Sequence, residues 1–298
     1  MNNHVLIIAI ALSWIGNMNP VLAQPTQQPK RIEDMIRTFE EDRNAYARFY
    51  SADGSPAAYK RFEALYSDWL SQLRDIPFES LTFEEQIDWI LFSNHLNREL
   101  DHLKEDARRD GEMSTLIPFS NELTALEDNR RMFVDLQPES TAAQLNRIRR
   151  QVTALHKQLE SEAGGKKSNV KPTVANRAAR RIRSIRSTLS GWYGYYDGYD
   201  PTATWWLEQP WKSLDQTLES YAAFLEETLA GVKDSTMIIG DPIGREALLK
   251  ELHYEMIPYS PEKLVAIANK EFAWCEGNEA RIERAWIRRR LESGPRAC

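Results

Sequence analysis

Apolar residues recur along this chain at helical spacing. Ile32, Met35, Ile36, Phe39, Tyr46, Phe49 and Tyr50 share one face of a helix predicted over Arg31–Tyr50. The stretch SADGSP breaks it, and Ala57–Ile76 repeats the pattern with Tyr59, Phe62, Leu65, Tyr66, Trp69, Leu70 and Leu73 inward. Thr82 with Glu85 forms a capping box for a third helix, which runs to about Arg109 through Ile87, Ile90, Leu91, His95, Leu96 and Leu103. Leu116–Phe119 reads as a short apolar loop. Helices are then predicted over Asn121–Phe133, from a Ser140 or Thr141 cap to about Glu162, and from a Thr173 cap through Ala178, Ile182, Ile185 and Leu189. GGKKSNVKP connects the last two as a flexible linker. The aromatic run GWYGYYDGYDPTATWW leads into a helix that must kink near Pro210 and end around Gly231. Only TMIIG, around Ile238, could form a short strand. The fold class is therefore all-α, with long antiparallel helices and little or no sheet.

The stretch Gly240–Glu276, GDPIGREALLKELHYEMIPYSPEKLVAIANKEFAWCE, predicts a helix, a break and a second helix. Asp241 can cap the first, with Pro242 in its opening turn, and Leu248, Leu249 and Leu252 form its stripe. Pro258 ends the pattern. Ser260-Pro261-Glu262 opens the second helix, on which Leu264, Ile267, Ala268, Glu271, Phe272 and Cys275 lie to one side.

PIGREALL, MIPYSPEKL and EFAWCE, with WWLEQPWKSLDQTLESYAAFL upstream, resemble the middle of the DUF885 family, and the likeness extends from about residue 30 to Glu276. The family is bacterial, often exported, and grouped with zinc metallopeptidases of the HExxH superfamily. The resemblance implies a helical N-terminal half that walls a cleft for a peptide-like or small-molecule substrate. It also implies a zinc site, of the HE-x-x-x-GH type, in a half that follows this stretch. Members are usually about twice as long as this chain, which reaches Cys298 before that motif. After Glu276 the family pattern continues in the manner of EMKRASRELG and GDDW, whereas here the text is GNEARIERAWIRRRLESGPRAC. With permissible codons, the bases behind NEARIERAWIRRRLE, read one base on, give MKRASNELGFGDDWK. The expectation is a truncated chain whose tail, 277–298, is out of frame. That tail offers few apolar residues for burial, among them Ile282, Ala285, Trp286 and Leu291. At roughly 1.5–3 kcal/mol each, they do not offset a backbone ordering cost of about 1–2 kcal/mol per residue. A solvated or frayed helix is predicted.

The first 23 residues read as a signal peptide: Val5–Ile15 is an apolar run and Val21-Leu22-Ala23 a small-residue cleavage site. The run is shorter than the ~20 residues a membrane span needs. Export to the periplasm or medium follows, with residues 24–30, QPTQQPK, as a linker and 31–276 as the helical domain. Beyond the signal peptide no membrane association is expected. The net charge of −6 argues against nucleic-acid binding. Of the two cysteines, Cys275 is expected to be a buried small hydrophobe and Cys298 a terminal residue, so no disulfide framework is predicted.

No catalytic or metal-ligating constellation emerges. None of the five histidines precedes a Glu in an HExxH pattern. His95 and His102 are two helical turns apart, ~10 Å, too far for one ion to bridge; one packed and one solvated histidine are expected. No nucleophile-elbow or phosphate-loop motif occurs. Arg177, Arg180, Arg181, Arg183 and Arg186 form a basic face expected to pair with acids in solvent. Trp192, Tyr196, Trp205 and Trp206 belong to an aromatic cluster that suits either a core or a binding cleft. No cofactor is expected in this chain. The leading expectation is an inactive, truncated relative of zinc hydrolases; the rival is an exported helical binding module using the aromatic cleft.

Overall fold

The computed structural model describes residues 31–165, 170–234 and 236–292. The signal-peptide and linker assignments, part of the GGKKSNVKP connection and Cys298 lie outside them. Among the described residues there are nine α-helices and no strand, including at TMIIG. The fold is all-α.

Helices α1 (Arg31–Phe49), α2 (Pro56–Arg74) and α3 (Phe83–Met113) form an N-terminal sub-bundle. Its core is Ile32 and Phe39 against Leu65, Tyr66, Trp69, Leu70 and Leu73, closed by Phe92 and Leu96. α2 starts where Ser55 accepts a hydrogen bond from the Ala58 N–H at 3.2 Å and Pro56 takes the first turn. α3 starts at the expected capping box: the Glu85 N–H donates to Thr82 Oγ1 at 3.3 Å and the Thr82 N–H to Glu85 Oε2 at 3.0 Å. It runs past Arg109 because Met113, Leu116 and Ile117 carry the apolar stripe into the second core.

That second core is a four-helix bundle of α4 (Ser120–Arg131), α5 (Pro138–Gly165), α6 (Pro172–Tyr196) and α7 (Pro201–Phe224). Leu145, Ile148 and Val152 of α5 are fully buried against Leu207, Leu214 and Leu218 of α7 and Ile182 and Leu189 of α6. Each such side chain contributes roughly 1.5–3 kcal/mol. The Tyr221 hydroxyl finds its one buried partner in the Leu116 carbonyl, at 2.8 Å.

Several helix starts differ from expectation. Prolines at 138 and 172 set the first turns, so Ser140 and Thr173 are not caps. Ser140 Oγ instead donates to the Gln137 carbonyl at 3.1 Å. α6 absorbs the aromatic run as far as Tyr196, since Trp192 packs inward at its sixth turn. Pro210 lies inside α7, which gives way to a wider π turn over Leu225–Leu229 before Gly231 (φ +75°) stops it.

The two sub-bundles meet where α3 crosses α6. Asp110 of α3 accepts from Tyr59 of α2 at 2.8 Å and from Arg181 of α6 at 2.9 Å. α8 (Arg245–Tyr254) then lies on α3, and α9 (Pro261–Glu292) leads away without extensive contact to another element. Ser260 caps α9 as expected, accepting from the Lys263 N–H at 3.3 Å. The apolar side of α9 is not buried, and Cys275 is exposed, correcting the expectation of a core cysteine.

Candidate functional site

A cleft of about 930 Å³ lies between the second half of α3, the start of α6 and the segment 241–254. Charge lines it. At its inner end Arg177 of α6 grips Asp241 bidentately, at 3.1 and 2.7 Å, and donates to Glu112 of α3 at 2.9 Å. Asp241 therefore serves as an anchor for the 241–244 segment rather than as the cap of α8, which begins only at Arg245. Burial alone would raise the Asp241 and Glu112 carboxyls; the hydrogen bonds from Arg177 outweigh it and hold both below the usual range. Glu105, bound by Arg108 and then Arg109, is held down to about 2.

At the outer end α8 meets α3. The His102 ring nitrogen Nε2 pairs with Glu251 Oε1 at 2.6 Å, and Arg98 donates to Glu251 Oε2 at 3.1 and 2.8 Å. The Tyr254 hydroxyl donates to Asp101 at 2.8 Å. Asp106, on α3 between the two ends, is pushed above the usual carboxylate range by partial burial and by neighbouring Asp110.

His95 and His102 divide as the sequence suggested in one respect: His95 packs its ring against Phe39, with centroids 5.7 Å apart, and burial lowers its pKa. His102 is not merely solvated but paired to Glu251 across 149 residues, which no local pattern announces. The arginine face does pair with acids, though within the fold more than in solvent: Arg181 with Asp110, Arg183 with Glu226, Arg186 with Asp215 at 2.7 Å.

The aromatic cluster does not line the cleft. Trp192 is 1% exposed and belongs to the core, while Trp205 is 74% exposed on α7. Tyr196 packs edge-on against Trp192 at 5.6 Å and Trp206 against Trp205 at 4.8 Å. Of the two readings the sequence left open for this cluster, Trp192 takes the core one.

Among the described residues no group of three His, Cys, Asp or Glu side chains could hold a metal ion. The His102–Glu251 pair supplies two, and the second Glu251 oxygen is taken by Arg98. A catalytic zinc needs about three protein ligands and an open position, which these residues do not fit. No helix among them is long and apolar enough to cross a membrane.

No curated protein and no solved structure matches this chain. Residues 46–289 match a family described as bacterial protein of unknown function, DUF885; the match runs past Glu276 through most of α9. It covers α2 to α8 and most of α9, the charged cleft included, and the chain belongs to the DUF885 family.

Proposed function

We propose that this chain is the helical portion of an exported DUF885 protein. In this reading, relatives that carry the HE-x-x-x-GH half are zinc-dependent peptidases or hydrolases acting on peptide-like or small-molecule substrates. Zinc there would polarise a carbonyl and lower the pKa of its bound water. This chain supplies the helical wall and, alone, neither holds stoichiometric zinc nor cleaves peptides. Export, after cleavage behind Ala23, places it in the periplasm or outside the cell. It engages neither nucleic acid nor, once the signal peptide is removed, membrane.

The observation that carries the proposal is the apolar surface along α8 and α9. Leu248, Leu249, Met256, Ile257, Val265, Ile267, Phe272, Trp274 and Ile282 are between 37% and 67% exposed. On α9, Leu264, Val265, Ala268, Phe272, Cys275 and Ile282 fall to one side, with Glu271 and Glu279 among them. Large contiguous apolar patches on soluble proteins are surfaces built to be covered. The remainder of the family fold is the occupant we assign to it.

Metal analysis and peptidase assays on the purified mature chain test this. Zinc well below one per chain and no hydrolysis are expected, and a mature N-terminus at Gln24. Chelator-sensitive peptidase activity in a clean preparation overturns the reading. The rival, a helical binding module, would use the exposed aromatics near Trp205 or the charged cleft. Saturable binding of a small ligand, lost on mutating Arg177, would favour it.

A further inference from the structure

α8 forms one wall of the cleft, yet none of its residues is fully buried. Leu248 and Leu249 are about two-fifths exposed. What holds α8 down is polar. Asn94 donates to the Tyr254 carbonyl at 2.7 Å, and Arg98 reaches both Glu251 at 2.8 Å and Glu255 at 2.6 Å. His102 pairs with Glu251 at 2.6 Å, and Lys250 with Asp101 at 3.4 Å.

Both ends of α8 have left-handed backbone. Gly244 has φ +86° and ψ 164°, a conformation that is essentially glycine's alone. Met256, just past the helix, has φ +56°. Both residues stand at the ends of the element, where hinge residues absorb φ/ψ change.

We propose that α8 is a hinged strap, held shut over the cleft by its ion pairs with α3 and released when those pairs are screened or protonated. The claim is independent of the zinc reading, since it concerns only residues present in this chain.

The charges facing one another at the seam are Arg98, Asp101, His102, Lys104, Glu105 and Arg109 from α3, with Arg177 from α6. Glu246, Lys250, Glu251 and Glu255 face them from α8, and Arg245 is engaged by Glu262 of α9. Partial burial raises Glu251, but His102 and Arg98 outweigh it, and its pKa is lowered. Asp101 is lowered first by the Tyr254 hydroxyl, and Asp241 first by Arg177. A lowered carboxyl holds its contact above its ordinary pKa and loses it as pH falls through the lowered value. The strap is therefore closed at neutral pH and loosens on the acid side. Salt should act likewise, because the pairs are partly exposed and the screening length falls to ~3 Å at 1 M.

Hydrogen–deuterium exchange on the full mature chain tests this. Amides of 245–254 should exchange about ten-fold faster in about 1 M salt than in about 0.05 M, with the α6 amides unchanged. Glu251→Ala separates a strap from a fraying helix. Alanine is the best helix former, so if α8 merely frays the variant slows exchange there; if the ion pairs hold a strap it speeds exchange. Salt-independent exchange in α8, slowing or no change in Glu251→Ala, or equal loss of protection in α6 would each overturn the proposal.

Discussion

Gly54 and Ser55 show how much of the assembly passes through two small residues. Gly54 has φ +74°, and a Cβ there would fall inside the guanidinium of Arg181, which is held by Asp110 and Asp53. Ser55 is fully buried; it caps α2 and its hydroxyl donates to the carboxylate of Asp128 on α4. Gly54→Ala should cost about 1–3 kcal/mol through backbone strain and displacement of Arg181. Ser55→Ala should cost a similar ~1–3 kcal/mol, because a cap is lost and a buried carboxylate loses its donor. Gly111, inside α3 with open space around it, is the control: Gly111→Ala should stabilise by about 0.4–1 kcal/mol. Urea denaturation of the three variants reads these differences. If Gly54→Ala and Gly111→Ala shift the midpoint alike, the Arg181 contact is not what fixes Gly54.

At the scale of the elements, the helices are laced by arginines whose partners lie on other helices, and this sets the response to acid. Within α3 itself, Arg108 holds Glu105 down to about 2. Arg177 lowers Glu112, and Arg183 lowers Glu226. Carboxyls lowered in the folded state stabilise it above their unfolded pKa, near 4.3, and that contribution disappears as pH falls through the lowered values. The urea midpoint should therefore be flat near neutral pH and fall steeply from about pH 4.5 to about pH 2. A flat midpoint down to pH 3 would mean these pairs carry no net stability. The same lacing marks what the sequence could and could not disclose. Apolar periodicity made the helices readable, because each must bury one stripe, and Thr82 with Glu85 announced a start through local chemistry. Pairings such as Arg177 with Asp241, 64 residues apart, leave no local trace. Asp241 consequently looked like a cap when it is an anchor. Trp192 looked equally fit for core or cleft, because an aromatic at helical spacing reads the same either way. The cleft itself stayed hidden: its walls are ordinary charged residues that only the crossing of α3, α6 and α8 brings together.

For the whole molecule, the arm beyond the two cores decides how stability is distributed. Both cores close without α9, whose described residues from Val265 onward are exposed with the exception of Asn278. Ile282, the one apolar tail side chain described, is 67% exposed, while those of Ala285, Trp286 and Leu291 lie outside the described residues. A helix that buries so little cannot recover the ordering cost of about 1–2 kcal/mol per residue from packing and must rest on its own propensity. Removing residues 277–298 should therefore leave the thermal midpoint within about 2 °C of the intact chain, since a loss of 1 kcal/mol would already move it by about 2–4 °C at this size. Differential scanning calorimetry of the two chains separates the outcomes. A fall of several degrees on deletion would show that 277–298 packs on the body.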